Sequence, residues 1–389
     1  MAPTPNGAPL RSLIHELKSI VSSDCEILQE QGDPKFQDYT KRWTDIDRQI
    51  PGAIVLPRSE NDIQKIVQWA VKSSVPFVVK GAGCSEWSTI GGDGLVIDLT
   101  HYSAAKVDAK AHTATICGGI RQKELAVLLA EHGLFTALGN GNVVGVIGFM
   151  LGGGSAITNS ITGFGSDQII SARMVTANGE LLEISKDLQP DLLWAIRGAG
   201  HFFGIITQLV IKVHPVTLLG NKDGTIWAGG FVFPLERAEE VGNVMRALMD
   251  DSSHATSGLV MTMAPPPTRK PSIIVSARYI GDPADADKAY RPLYDLKPLV
   301  ASGSQVPIQN ISDGREAIGA QGDFKRFGII GLCRFDLASF LMTIEIWKSL
   351  IEECPDAINT AFNFQWDSRL VKAPEFDSAM CLHDTRFWQ

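Results

Sequence analysis

Short apolar runs alternate along the first half of the chain with segments whose apolar residues recur every three or four positions. Pro51-Gly52-Ala53-Ile54-Val55-Leu56-Pro57 is an apolar run closed by prolines and predicts an edge strand, because proline cannot donate to a sheet ladder. Ser59 follows as an N-cap with Asp62 at N3. Behind it Ile63, Ile66, Val67, Ala70 and Val71 fall at i, i+3, i+4, i+7 and i+8, one apolar face of a helix. Phe77-Val78-Val79 predicts a buried strand, residues 95–99 and 113–117 two more, and residues 124–132 a helix that Gly133 stops. Residues 172–176 and 181–184 flank Asn178-Gly179, a pair suited to positive φ, and predict a hairpin. A strand over 205–213 ends before Pro215.

Residues 1–46 read as mainly helical and polar. Beyond residue 216 the order becomes strand (226–233), helix (236–249), strands (258–263 and 273–279), short helix (284–290), long helix (337–353) and strand (361–366). Runs of strands with helices between them imply an antiparallel sheet with helices on one face. The expected class is α+β: an N-terminal helical segment over 1–46, a mixed domain over 47–216 and a second domain over 217–389. Ala264-Pro265-Pro266-Pro267 reads as a loop inside the second domain.

Composition narrows the picture. A chain of 389 residues, 44% hydrophobic and 20% charged, can bury the cores of two domains. The net charge of −8, with no stripe of Lys and Arg, argues against nucleic acid or an anionic membrane surface as partner. No apolar run approaches the roughly 18 residues of a membrane span, and the opening segment lacks a secretory leader's pattern. An intracellular, cytoplasmic location is therefore expected. Cys25, Cys84, Cys117, Cys333, Cys354 and Cys381 are scattered, with no CxxC pair and no zinc-type spacing, which argues against a disulfide scaffold and a structural metal.

Three glycine clusters fall at strand ends. Lys80-Gly81-Ala82-Gly83-Cys84-Ser85 follows a strand, and small residues there let backbone N–H groups converge on an anion; an ordinary tight turn is the competing reading. The second cluster runs from Gly139 to Ser155, with glycines spaced among apolar residues, as suits backbone packed closely on a flat, extended ligand. The third, Leu193-Trp194-Ala195-Ile196-Arg197-Gly198-Ala199-Gly200-His201-Phe202-Phe203-Gly204-Ile205-Ile206-Thr207, turns a short helix into a strand. None is a Walker A loop or a GxGxxG motif opening a helix.

In this order, and together with Val55-Leu56-Pro57-Arg58-Ser59-Glu60-Asn61-Asp62-Ile63, the clusters resemble the FAD-binding domain of the vanillyl-alcohol oxidase and p-cresol methylhydroxylase superfamily (the PCMH type), in its berberine bridge enzyme-like branch. The match is dense over residues 47–216. A weaker echo, Asp377-Ser378-Ala379 followed by His383-Asp384-Thr385-Arg386-Phe387-Trp388, resembles the substrate domain of the same family. The resemblance implies that Gly81, Ala82, Gly83, Cys84 and Ser85 wrap the FAD pyrophosphate. It places Val144, Gly145, Gly148, Gly152, Gly153 and Gly154 beside the isoalloxazine and ribityl chain, and Gly204, Ile205 and Ile206 on the adenine side. It further implies a second-domain sheet roofing the flavin, and oxidation of a small organic substrate of secondary metabolism by hydride transfer to flavin N5 with O2 as reoxidant.

Many relatives bond FAD covalently through a His in the first cluster and a Cys at the start of the second. Cys84 and Gly141 stand at those positions here, so noncovalent FAD is expected. Cys84 is either a thiolate poised by the loop's N–H groups or a small buried hydrophobe, the latter being the commoner case. Phe149 stands where relatives often place a His. Relatives continue for about another hundred residues past the His383 segment, a rough domain-scale figure, so a C-terminally short substrate domain is expected. His383 and Arg386 are weak candidates for orienting or deprotonating substrate, against the alternative of a surface ion pair. His201 reads as a turn residue near the cofactor, Asp167 as support for a loop, and Trp43, Trp69 and Trp194 as packing; Tyr279, Tyr290 and Tyr294 are undifferentiated phenols. Two other readings stay open: a non-redox cyclase or flavin-site relic on the same fold, and a noncatalytic binding protein.

Overall fold

The computed structural model describes residues 10–389; the first nine residues of the expected N-terminal segment lie outside it. Strand Ala53–Leu56 leads through helix Glu60–Lys72 to strand Phe77–Lys80, and strand Leu95–Asp98 inserts between the two, all three parallel. Ser59 caps the helix as its sequence requires, its Oγ accepting from Asp62 N at 3.1 Å. Ile63, Ile66, Val67 and Ala70 close on Ala53, Val55, Leu95 and Ile97 in one core, which Ile14 and Leu17 of helix Leu10–Ile20 complete.

Two expectations change here. Strand Ala53–Leu56 is interior and fully buried, because Glu26–Leu28, inside the segment read as helical, pairs antiparallel with it. The edge falls instead to Phe77–Lys80, whose first three residues are half-buried.

A second sheet runs in the order 105–108, 113–117, 205–212, 169–175, 181–184, antiparallel throughout. The expected hairpin is present, with Gly179 at φ +77° in its turn. Helices Gln122–Ala130, Val146–Leu151 and Pro190–Ala199 cover one face of this sheet.

The remaining chain forms a seven-stranded antiparallel sheet in the order 300–307, 225–234, 272–279, 256–263, 362–367, 387–388, 331–332. Helices Ala238–Asp250 and Leu337–Glu353 pack on one face around Phe231, Val260, Val275, Phe340 and Trp347. The other face turns to the glycine clusters: Gln365 Nε2 donates to Ser155 Oγ at 3.0 Å, and Arg278 donates to the Asn140 side chain. No helix among the described residues is long and apolar enough to cross a membrane.

Near the junction of the two halves lies His214, which is 6% exposed. Its Nε2 meets Gln168 Oε1 at 2.8 Å, while Gln168 Nε2 donates to the carbonyls of Thr162 and Phe164, which makes the His214 nitrogen the donor. Burial, reinforced by Lys212 and Lys372, pushes its pKa from 6.5 down to about 4. Between those values the unfolded chain takes up a proton that the folded chain refuses. Stability should therefore be complete above pH 6.5 and fall as the pH drops toward 4, by about 3 kcal/mol in all. Chemical denaturation across that range should show a shallower pH dependence in His214→Gln than in wild type.

Candidate functional site

Strand Phe77–Lys80 delivers the first glycine loop, and the segment before it holds that loop in place. Lys80 Nζ lies 2.9 Å from Asp98 Oδ2 and donates to Tyr39 O at 2.7 Å, with both ionic side chains buried. Trp43 N donates to Gly83 O at 2.9 Å, and the buried Arg42 guanidinium donates to the carbonyls of Ser85, Glu86 and Ile46. Gly83 sits at φ +72°, which turns the loop back on itself. The loop's carbonyls are thus occupied from one side. Among the described residues the amides of Gly81 and Ala82 have no hydrogen-bond partner, as suits donors facing an anion.

Opposite stands the second cluster. Gly145 caps helix Val146–Leu151, and a Cβ on it would lie 3.4 Å from Ala82, so the two loops approach closely. Between them opens a cleft of about 510 Å³, within the range of small-molecule sites. Eleven of the fourteen residues expected at the cofactor line it: Gly81 to Ser85, Val144, Gly145, Gly148, and Gly204 to Ile206. Gly152, Gly153 and Gly154 do not. Their Cβ positions point at His201, Met380 and Phe149 respectively, so these glycines admit protein side chains rather than a ligand. A further cavity of about 340 Å³ lies across Ala82 and Cys84, lined also by Tyr39, Lys80, Arg121 and Val143.

Gly148 is the most telling glycine. It sits inside a helix, where glycine is unfavourable by about 1 kcal/mol relative to alanine, yet a Cβ there would meet only His201 Nε2, at 4.0 Å. The fold does not need a glycine at this position; an object in the cleft would.

Cys84 and His201 are the only ionisable side chains lining the cleft among the described residues. Burial raises the Cys84 thiol despite Arg121 and the Gly145 N–H, which favours the thiol over a poised thiolate. Burial likewise lowers His201, whose ring donates to the Gly148 carbonyl, so the imidazole is neutral near pH 7. Trp87 and Phe202, both largely exposed, face each other beside the cleft with ring centroids 6.0 Å apart.

The other candidates lie elsewhere. His383 Nε2 is 3.0 Å from both Asp167 oxygens, and Asp167 Oδ2 also accepts from Phe164 N at 2.8 Å; the pair braces the loop behind the second cluster. Arg386 donates to Met249 O at 2.6 Å, at the end of helix Ala238–Asp250. Tyr290 is buried with its hydroxyl on the Arg278 carbonyl, and none of the three tyrosines lines the cleft. Trp69 is core, Trp43 stacks on Phe327 at 4.9 Å, and Trp194 is half-exposed. Sequence reasoning missed Arg42 and Trp87, which carry no local motif. No group of three or more His, Cys, Asp or Glu that could hold a metal is found among the described residues.

Comparison with known proteins agrees with this geometry. Residues 51–185 match the family model described as an FAD binding domain. FAD-linked oxidoreductase hasG of Aspergillus fumigatus is 28% identical over 340 residues, 85% of this chain and 70% of that protein. FAD-linked oxidoreductase srdI of Neurospora crassa is 28% identical over 384 residues, 96% of this chain and 75% of its own length. Among solved structures, BBE-like 1 of Physcomitrella patens superposes with a TM-score of 0.78 at 17% identity, covering 97% of this chain and 82% of that one. The xylooligosaccharide oxidase of Myceliophthora thermophila gives 0.75 at 20% identity, with 98% and 82% covered. At such identities these two establish the fold.

Gly148→Leu should keep the protein folded, with stability within about 1 kcal/mol of wild type by helix propensity, and should abolish flavin retention. Denaturant midpoint and visible absorbance of the purified variant check the two halves separately; full flavin content would show that the cofactor does not pass this helix.

Proposed function

With residues 51–185 an FAD-binding domain and the chain in the fold of the vanillyl-alcohol oxidase and p-cresol methylhydroxylase superfamily, we propose that the protein is an FAD-dependent oxidoreductase. Its substrate is a small organic molecule of secondary metabolism, a reading supported by relatives named FAD-linked oxidoreductases in several fungi. The observation that carries the proposal is the cleft itself: unpaired loop amides on one wall and a helix glycine with open space above it on the other.

The residues fit the cofactor. Gly81 to Ser85 would hold the pyrophosphate on their N–H groups, Val144, Gly145 and Gly148 would flank the ring and ribityl chain, and Gly204 to Ile206 would contact the adenine side. The chemistry FAD supplies when bound is two-electron oxidation of the organic substrate, with hydride acceptance at N5 and reoxidation by O2. The chain's own part is positional. Arg42 and the Lys80–Asp98 pair hold the loop, and the Ile147, Leu151, Ile205 and Ile206 side chains present an apolar wall that excludes water. No carboxylate lines the cleft among the described residues, and His201 is the one imidazole there, its protonated form disfavoured by burial.

Attachment is noncovalent on this reading, which is supported by burial favouring the Cys84 thiol over its thiolate and by Gly141 offering no nucleophile. The purified protein should be yellow, and acid precipitation should leave the flavin in the supernatant; flavin in the pellet would overturn the noncovalent assignment. Anaerobic addition of a true substrate should bleach the flavin band. A colourless protein that FAD cannot reconstitute would overturn the redox assignment in favour of a cyclase or a binding protein on the same fold.

A further inference from the structure

Two large aromatic side chains stand on the surface where the first and third glycine clusters meet. Trp87 is 68% exposed and Phe202 is 73% exposed. Rings of this kind each carry about 150–250 Å² of area that a fold ordinarily buries, so a pair left side by side in water marks a contact surface. Loose backbone does not account for the exposure. Trp87 N donates to Ser85 Oγ at 3.1 Å, Ser88 Oγ donates to Ser85 O at 2.8 Å, and Arg42 holds the carbonyls of Ser85 and Glu86. Phe202 ends the turn Gly200–Phe202, whose His201 ring donates to the Gly148 carbonyl of the opposite helix. Both rings are therefore mounted on anchored chain.

The two differ in what they face. Trp87 lines the cleft of about 510 Å³, whereas Phe202 does not line it and meets Trp87 with ring centroids 6.0 Å apart and planes tilted by 49°. A third ring stacked between them would need about 7 Å, two carbon contacts of about 3.5 Å each. The ligand's place is thus on Trp87 from the cleft side, with Phe202 as the ring that steadies Trp87.

Position along the cleft indicates which part of the ligand this is. Phe202 comes two residues before Gly204, and Gly204, Ile205 and Ile206 are the lining residues assigned above to the adenine side. The aliphatic lining residues Val78, Val79, Leu99, Ile205 and Ile206 have no side-chain group that could read the edge of a base, which leaves stacking as the side chains' means of grip. Among the rings that line the cleft in the described residues, Phe149 packs against Gly139 and Gly154 and His201 is tied to Gly148. Trp87 is the ring that remains.

We propose that the adenine of FAD stacks on Trp87, and that Phe202 is a positioning residue that holds the Trp87 ring at the mouth of the cleft. The proposal rests on the flavin assignment above and adds to it where a noncovalent cofactor is gripped.

The test uses the full chain, stripped of flavin and titrated with FAD, FMN and ADP. Trp87→Ala should weaken FAD and ADP by about tenfold or more, the scale of one base stacked on an aromatic side chain, and should leave FMN, which has no adenine, unchanged. Trp87→Phe keeps a ring and should recover most of the loss. ADP should quench tryptophan fluorescence in wild type and not in Trp87→Ala. Phe202→Ala should weaken FAD in the same direction, and adding it to Trp87→Ala should weaken FAD no further, because it acts through Trp87. Unfolding midpoints of the ligand-free variants should match wild type, both side chains being exposed. Wild-type FAD affinity in Trp87→Ala would overturn the stack, and an equal loss of FMN and FAD would put the flavin ring on Trp87 and overturn the adenine assignment. Full additivity of the two substitutions would overturn the role of Phe202. A wild-type protein that binds none of the three nucleotides would end the flavin assignment and this one with it, whereas tight FAD binding by wild type and variants alike would end this one alone.

Discussion

The Lys80–Asp98 ion pair anchors the end of the strand from which the first glycine loop starts, and with it one wall of the cleft. The two residues face each other in the parallel register of strands Phe77–Lys80 and Leu95–Asp98, and Asp98 is wholly buried. A buried pair of this kind adds little net stability, because desolvation consumes most of the attraction, but it is costly to break, since either partner alone would be a stranded charge. The strand end is therefore fixed, and the glycine loop starts from a fixed point. Lys80 also underlies the loop, its Cε 3.0 Å from where a Gly83 Cβ would stand. With Tyr39, Arg42 and Trp43 occupying the carbonyl side, the loop's amides are left for whatever fills the cleft.

The opposite wall obeys a different constraint. Gly145 and Gly148 bring a short helix against the first loop, and the seven-stranded sheet closes over the same region through polar contacts: Gln365 with Ser155, Arg278 with Asn140, Lys123 with Asp313. Geometric specificity thus comes from hydrogen bonds to particular residues of the second cluster. Asp167 adds to this from behind, joining Phe164 to His383 and so linking the C-terminal segment to the glycine cluster.

Local signals carried most of the architecture. The Ser59 cap, the Asn178-Gly179 turn and the helix Leu337–Glu353 are written in short stretches whose meaning does not depend on distant residues. What escaped is what depends on partners. Strand Glu26–Leu28 has three residues and exists because Ala53–Leu56 needed an edge covered. Val300–Pro307, rich in small and polar residues, is an exposed outer strand held by backbone pairing to Thr225–Pro234, with no apolar alternation to announce it. In the site, glycines were legible because a missing side chain is meaningful by itself, yet Gly152 to Gly154 look the same in sequence and serve protein packing. Arg278 left no trace at all: it is an ordinary surface-type residue until the fold sets it against Asn140, 138 positions away.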